Sequence, residues 1–251
     1  MTTDSTDAPD FSGRMLLYKS PVLLSKGKHD GLGLSAVDDH FEFAREATGV
    51  PVTLSELVSA QKYYPIVFVG NETPDLAAML GLPHRDNLFI NKSGAWDGDA
   101  YVPAYLNCYP FAIARSDTDQ AALIFDSASP AISENPEIPF FDGDELHPQV
   151  RKRVEFCAQY EADRANTQAF CKRMVELELV STQSAVYAAP DSDEKESLAE
   201  FSAIDIRKLR ELGKDTIFDL HENGYLWHIY AHLYSLENWA RLASRIRKTR
   251  D

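Results

Sequence analysis

Two histidines four residues apart, His228 and His232, stand in the stretch LWHIYAHLYSLENWARL that runs from Leu226 to Leu242. On a helix, residues at that spacing share a face. Two imidazoles so placed could bind one metal ion, or one of them could serve as a general acid/base. A zinc or iron site needs a third protein donor. His221 and Glu237 are near in sequence, but no HExxH, HxD or Cys/His spacing nominates either of them. The pair is therefore read first as hydrogen-bonded boundary histidines, with His232 as an acid/base or ligand candidate and a His228/His232 metal site as the alternative.

A second constellation is aromatic. Trp96, Tyr101, Tyr105, Tyr109 and Phe111 are interleaved with Asp97, Asp99 and Asn107. Flat rings with short polar neighbours suit a carbohydrate or peptide cleft. The competing reading is a core, in which tyrosines bury their rings and reach a partner with the hydroxyl. Cys108 lies in the same run, with His84 or His232 as conceivable partners for a nucleophile, although a free cysteine more commonly packs as a small hydrophobe. There is no GxSxG, GxGxxG or GxxxxGK[ST], and WDGD and FFDGDE lack the spacing of a calcium loop, so no cofactor is expected.

These residues need elements to hold them. At 100° per residue, Leu226, Ile229, Leu233, Leu236 and Ala240 form one stripe that predicts a core-facing helix through Leu242, with His228, His232, Ser235 and Trp239 along its edge. Upstream, Asp215 is expected to cap a helix that ends at Gly224, and Asp205 a shorter one over 206–212. The mixed three and four spacing of Val150, Val154, Cys157, Tyr160 or Ala162, Ala169, Met174 and Leu177 or Leu179 predicts the longest helix, from Gln149 to about Val180, and 181–205 reads as a hairpin with its tip near Pro190 to Lys195. Thr53 or Ser55 should cap a short helix that Pro65 stops before the strand Ile66–Val69. DLAAM reads as no more than two helical turns, ALIFD as a strand, and 100–114, with Pro103 and Pro110, as a broken element lining the core. Residues 1–12 have the composition of a disordered tail. Without repeats or Gly/Ser linkers, 13–251 is expected to be a single α+β domain, β-rich in its N-terminal half and helical in its C-terminal half.

The 251 residues carry 25 Lys+Arg against 39 Asp+Glu, a formal charge of -14. That field repels a phosphate backbone and argues against nucleic acid. No apolar run reaches the ~18 residues of a membrane span. The acidic, polar N-terminus does not read as a secretory signal. The three cysteines, Cys108, Cys157 and Cys171, have no metal or redox spacing. Together these features lead to an expectation of a cytoplasmic protein.

One ordered set of motifs goes further. YYPIVF at 63–68, MLGL followed by NLFIN at 79–91, Trp96, AYVPAY with YPF at 100–111, PFFDGDE at 139–145 and the closing NGYLWHIYAHLYSLENW together resemble the SapC family, from about Met15 to Leu242. His232 falls within the matching string. His228 stands where small or aliphatic residues are common, and Leu106-Asn107-Cys108 replaces basic positions. The resemblance implies a bacterial protein linked to a surface layer, with surface-layer or outer-surface proteins, or halogenase-like and TonB-dependent receptor systems, as partners. It implies no reaction. The expected role is a non-enzymatic binding or assembly factor; the alternative is an enzyme acting on a small molecule, sugar or peptide through His232. The family name also opens an alternative location, the cell surface, reached by signal-independent export.

Overall fold

Thr53 opens a helical turn over Leu54–Glu56 with a capping box, in which the Glu56 carboxylate accepts from the Thr53 N–H at 2.9 Å. The computed structural model describes residues 15–70, 74–82, 86–115, 121–188 and 195–248. In chain order its strands are β1 (Pro21–Leu23), β2 (Gly33–Leu34), β3 (Gly49–Pro51), β4 (Ile66–Val69), β5 (Asp75–Met79), β6 (Phe111–Arg115), β7 (Ala121–Asp126), β8 (Ile132–Ser133), β9 (Ile138–Pro139), β10 (Phe141–Asp142), β11 (Glu145–Leu146), β12 (Val180–Ala188) and β13 (Lys195–Ile204). The helices are α1 (Leu57–Ala60), α2 (Ala104–Cys108), α3 (Pro148–Glu176), α4 (Ile206–Glu211), α5 (Lys214–Glu222), α6 (Tyr225–Ser235) and α7 (Asn238–Lys248). The chain is α+β, and among the described residues eleven of the thirteen strands precede α3.

The chain divides into two units. The first takes residues up to Val37 and Cys108–Gln159. It holds the antiparallel sheet β1-β7-β6, the small sheet β8-β2-β9 and the β10-β11 hairpin. Phe111, Phe125 and Phe140 are fully buried there, and Phe140 meets the other two rings edge-on at 5.7 and 5.1 Å. Gly33 has no alternative: a Cβ on it would lie 2.2 Å from the Ile138 carbonyl oxygen and 2.6 Å from Pro139 Cα.

The second unit takes Asp38–Asn107 and Tyr160 onward. Its sheet runs β12-β13-β4-β5-β3, antiparallel throughout. The later turns of α3 bury Thr167, Phe170, Cys171 and Met174, and α6 packs on β4 and β13. α3 ends in a Schellman turn: the Leu179 N–H bonds the Met174 carbonyl at 3.0 Å, the Glu178 N–H bonds that of Val175 at 2.9 Å, and Glu178 is left-handed at φ 56°.

Four expectations are corrected. DLAAM is strand β5 rather than helical turns, because its backbone is paired on both sides, to β4 and β3, and that pairing overrides the helix preference of alanine. The helix expected to run from Leu226 through Leu242 is two helices with a break at Leu236–Glu237. Asn238 holds the break, its Nδ2 donating to the carbonyls of Gln61, Tyr64 and Ser235 at 2.6, 3.2 and 3.0 Å. Gly213, not Asp215, occupies the N-cap of α5, with Asp215 in the first turn. On α3, Ala162 and Ala169 face solvent while Thr167 and Phe170 face inward. The expected tail over 1–12, the hairpin tip at 190–194 and His84 lie outside the described residues.

Candidate functional site

The two histidines lie on the inner side of α6. His232 is fully buried, its Nε2 accepts from the Ile204 N–H at 3.2 Å, and its ring meets Phe68 edge-on at 5.2 Å. An imidazole that accepts at Nε2 carries its proton at Nδ1. Burial without a compensating charge pushes its pKa from 6.5 down to about 3. The other ring nitrogen, Nδ1, is also buried and has no hydrogen-bond partner among the described residues. His228 is half-buried beside Phe170 at 6.2 Å, and burial lowers its pKa as well. Among the described residues no group of three His, Cys, Asp or Glu side chains converges to hold a metal.

The aromatic run is split between the units. Trp96, Tyr101 and Tyr105 belong to the second; Tyr109 and Phe111 belong to the first. Trp96 is 8% exposed, stacked 6.0 Å from Phe89 and packed against Phe41 at 5.4 Å. Tyr105 is half-buried, 6.0 Å from the Tyr160 ring, and Phe111 has no exposure. The remaining two tyrosines each serve a buried carboxylate. Tyr101 donates to Glu56 Oε1 at 3.1 Å, where the Ala104 N–H also donates at 2.6 Å, while Thr53 Oγ1 and the Thr53 N–H both donate to Oε2 at 2.9 Å. Tyr109 donates to Asp126 Oδ2 at 3.1 Å; the N–H groups of Lys19, Ser20 and Ala128 complete that carboxylate at 3.0, 2.8 and 3.1 Å. Asp126 is completely buried. Desolvation and the adjacent carboxylate push the Tyr109 hydroxyl up to about 12 and raise that of Tyr101. A carboxylate buried on hydrogen bonds alone is costly to leave unmatched. Tyr101 and Tyr109 are therefore members of two structural knots.

A different set of rings is free. Around α6, Tyr225, His228, Ile229, His232, Ser235 and Leu236 cover a continuous inward arc with His232 near its middle. The opposite arc carries Trp227, Tyr230 and Tyr234, exposed by 67, 47 and 67%, with half-exposed Leu226 and Leu233 at its margin. Phe218 is exposed on the neighbouring helix α5. The stripe expected to face the core is thus rotated, so that the histidine row is central and the leucines lie at the edge. Periodicity could not orient this helix because apolar residues occur on every side of it. The exposed rings stand at i, i+3 and i+7 from Trp227, a spacing that a helix places on one face. In the first unit, Asp142, Glu145, Leu146, Arg151 and Glu155 line an open depression of about 500 Å³, in which Arg151 pairs with Glu145.

A protein-family model, SapC, matches residues 24–242. The chain belongs to the SapC family. The match takes in both structural knots except for their Lys19 and Ser20 amides, together with the whole of α6. No curated protein and no solved structure matches this SapC chain.

Proposed function

We propose that this SapC protein is a non-enzymatic binding or assembly factor linked to a surface layer or an outer-surface uptake system. The observation that carries the reading is the outer face of α6. Trp227, Tyr230 and Tyr234 stand in solvent on one side of a helix whose other side anchors the sheet. Exposed clusters of Trp and Tyr are the residues that most often carry binding energy at protein interfaces. The surface-layer or uptake link, with outer-surface, halogenase-like or TonB-dependent receptor systems as partners, comes from the family alone. The three cysteines, all buried and none of them in a disulfide, support a reducing compartment, the cytoplasm, as the working location. The cell surface, by signal-independent export, is the alternative.

The test uses a photo-crosslinking residue introduced at Tyr230, with the same residue at exposed Lys172 on α3 as control, in the protein's native cells. Discrete adducts to a surface-layer or uptake component at position 230, and none at 172, are expected. The same adducts at both positions, or none at either, would remove the support.

A further inference from the structure

The outer face of α6 is too small to be a whole interface. Taking roughly 200 Å² for a large aromatic side chain, the exposed fractions of Trp227, Tyr230 and Tyr234 leave on the order of 350 Å² uncovered. That is the size of a functional surface patch, but less than half of the ~800 Å² that a stable partner covers on each side. A partner seated on the rings must therefore cover their surroundings too, and the charge of those surroundings selects it.

Those surroundings are acidic. From Gly213 to Glu237 one lysine, Lys214, and one exposed histidine, His221, stand against Asp215, Asp219, Glu222 and Glu237, all of them exposed. Asp219 is paired with Arg173 at 3.2 Å, whereas Glu222 and Glu237 sit just beyond the two ends of α6. The next base, Arg241, is turned to the Lys62 carbonyl. Within α6 the outer arc carries no charge. A second copy docking antiparallel through the same helix would set Glu222 of one chain against Glu237 of the other, between bodies of formal charge -14 each. Like charges so placed disfavour that pairing, and the same net charge repels an anionic lipid surface.

Resting on the proposed binding role, we infer that the occupant of this face is a protein segment with an apolar ridge flanked by lysine or arginine, the ridge lying on Trp227, Tyr230 and Tyr234 and the cations meeting Glu222 and Glu237. The rings supply the buried centre of the interface, and the acids supply its rim and select the partner.

The experiment measures binding of the full chain to two fluorescent synthetic helical peptides that share one leucine/phenylalanine face. One is flanked by lysines, the other by glutamates. At low ionic strength the lysine peptide should bind at least about tenfold tighter, with the gap closing as salt screens the rim. Trp227→Ser/Tyr234→Ser should lose that binding, and Glu222→Lys/Glu237→Lys should abolish or reverse the preference. Thermal unfolding of each variant confirms that it is folded. If both peptides bind alike and both are lost in the aromatic variant, the docking face stands and the basic partner is overturned. If the aromatic variant binds as wild type does, the docking face falls as well, and with it the support for a binding role. Sedimentation showing a dimer that Trp227→Ser/Tyr234→Ser dissolves would make the occupant a second copy. Partition onto neutral phosphatidylcholine vesicles, lost in the same variant, would make it a lipid surface. Either result overturns the inference.

Discussion

Among the described residues Asp126 has no ion-pair partner, yet it is buried completely because three backbone N–H groups and the Tyr109 hydroxyl point at its two oxygens. Removing it takes the acceptor from the three amide donors and from the Tyr109 hydroxyl. Asp126→Ala should therefore cost about 3 kcal/mol or more, read as a lower urea midpoint; a loss below about 1 kcal/mol would contradict the assignment. His232 poses the reverse case, a group buried neutral. Burial lowers its pKa to about 3 in the fold, from the 6.5 of an exposed imidazole. Between those values the unfolded chain holds a proton that the folded chain does not, so stability is greatest above about pH 6.5 and falls as pH drops toward 3. At about 1.4 kcal/mol per pH unit the full loss amounts to several kcal/mol, and His228 acts in the same direction. Urea midpoints from pH 7.5 to 4.5 should decline steeply in wild type. The decline should be shallower in His232→Gln, whose amide oxygen can still accept from the Ile204 N–H; equal slopes would discount His232. The residue types of these sites were legible in the sequence. Their roles were not, because two of the donors to Asp126, the Lys19 and Ser20 amides, come from more than 100 residues away, and Glu56, the partner of Tyr101, stands 45 residues from it.

Helix ends and strand pairings set the next level. Glu178 pays a conformational cost as a non-glycine residue in left-handed geometry at the end of α3. Glu178→Gly should stabilise the protein by up to about 1 kcal/mol, seen as a higher melting temperature. A drop would mean that the side chain does more than occupy the turn. The long elements, α3 and the β12-β13 hairpin, could be read from the sequence, as could the Asp205 cap and the Gly224 terminus. β5 could not, since Leu76, Ala77 and Ala78 are all buried and show no alternation; only pairing on both edges makes them a strand. α6 was legible as a helix and illegible in orientation. His232 is held to the core by the Ile204 N–H, and Trp227, Tyr230 and Tyr234 are turned outward.

At the scale of the whole surface, the aromatic face of α6 is an exposed apolar feature on a strongly anionic protein. Because the rings make little packing in the fold, Trp227→Ser/Tyr234→Ser should leave urea-unfolding stability within about 0.5 kcal/mol of wild type; a larger loss would mean that the face is structural. The chain has three tryptophans. Trp96 and Trp239 are 8 and 6% exposed, and only Trp227 meets solvent. Acrylamide should thus quench one fraction of the native fluorescence readily and the rest poorly, and Trp227→Phe should remove the accessible fraction. A molecule settling on α6 would shield that indole and shift its emission to the blue, while one binding elsewhere would leave it untouched. The protein carries its own optical gauge of whether that helix is covered.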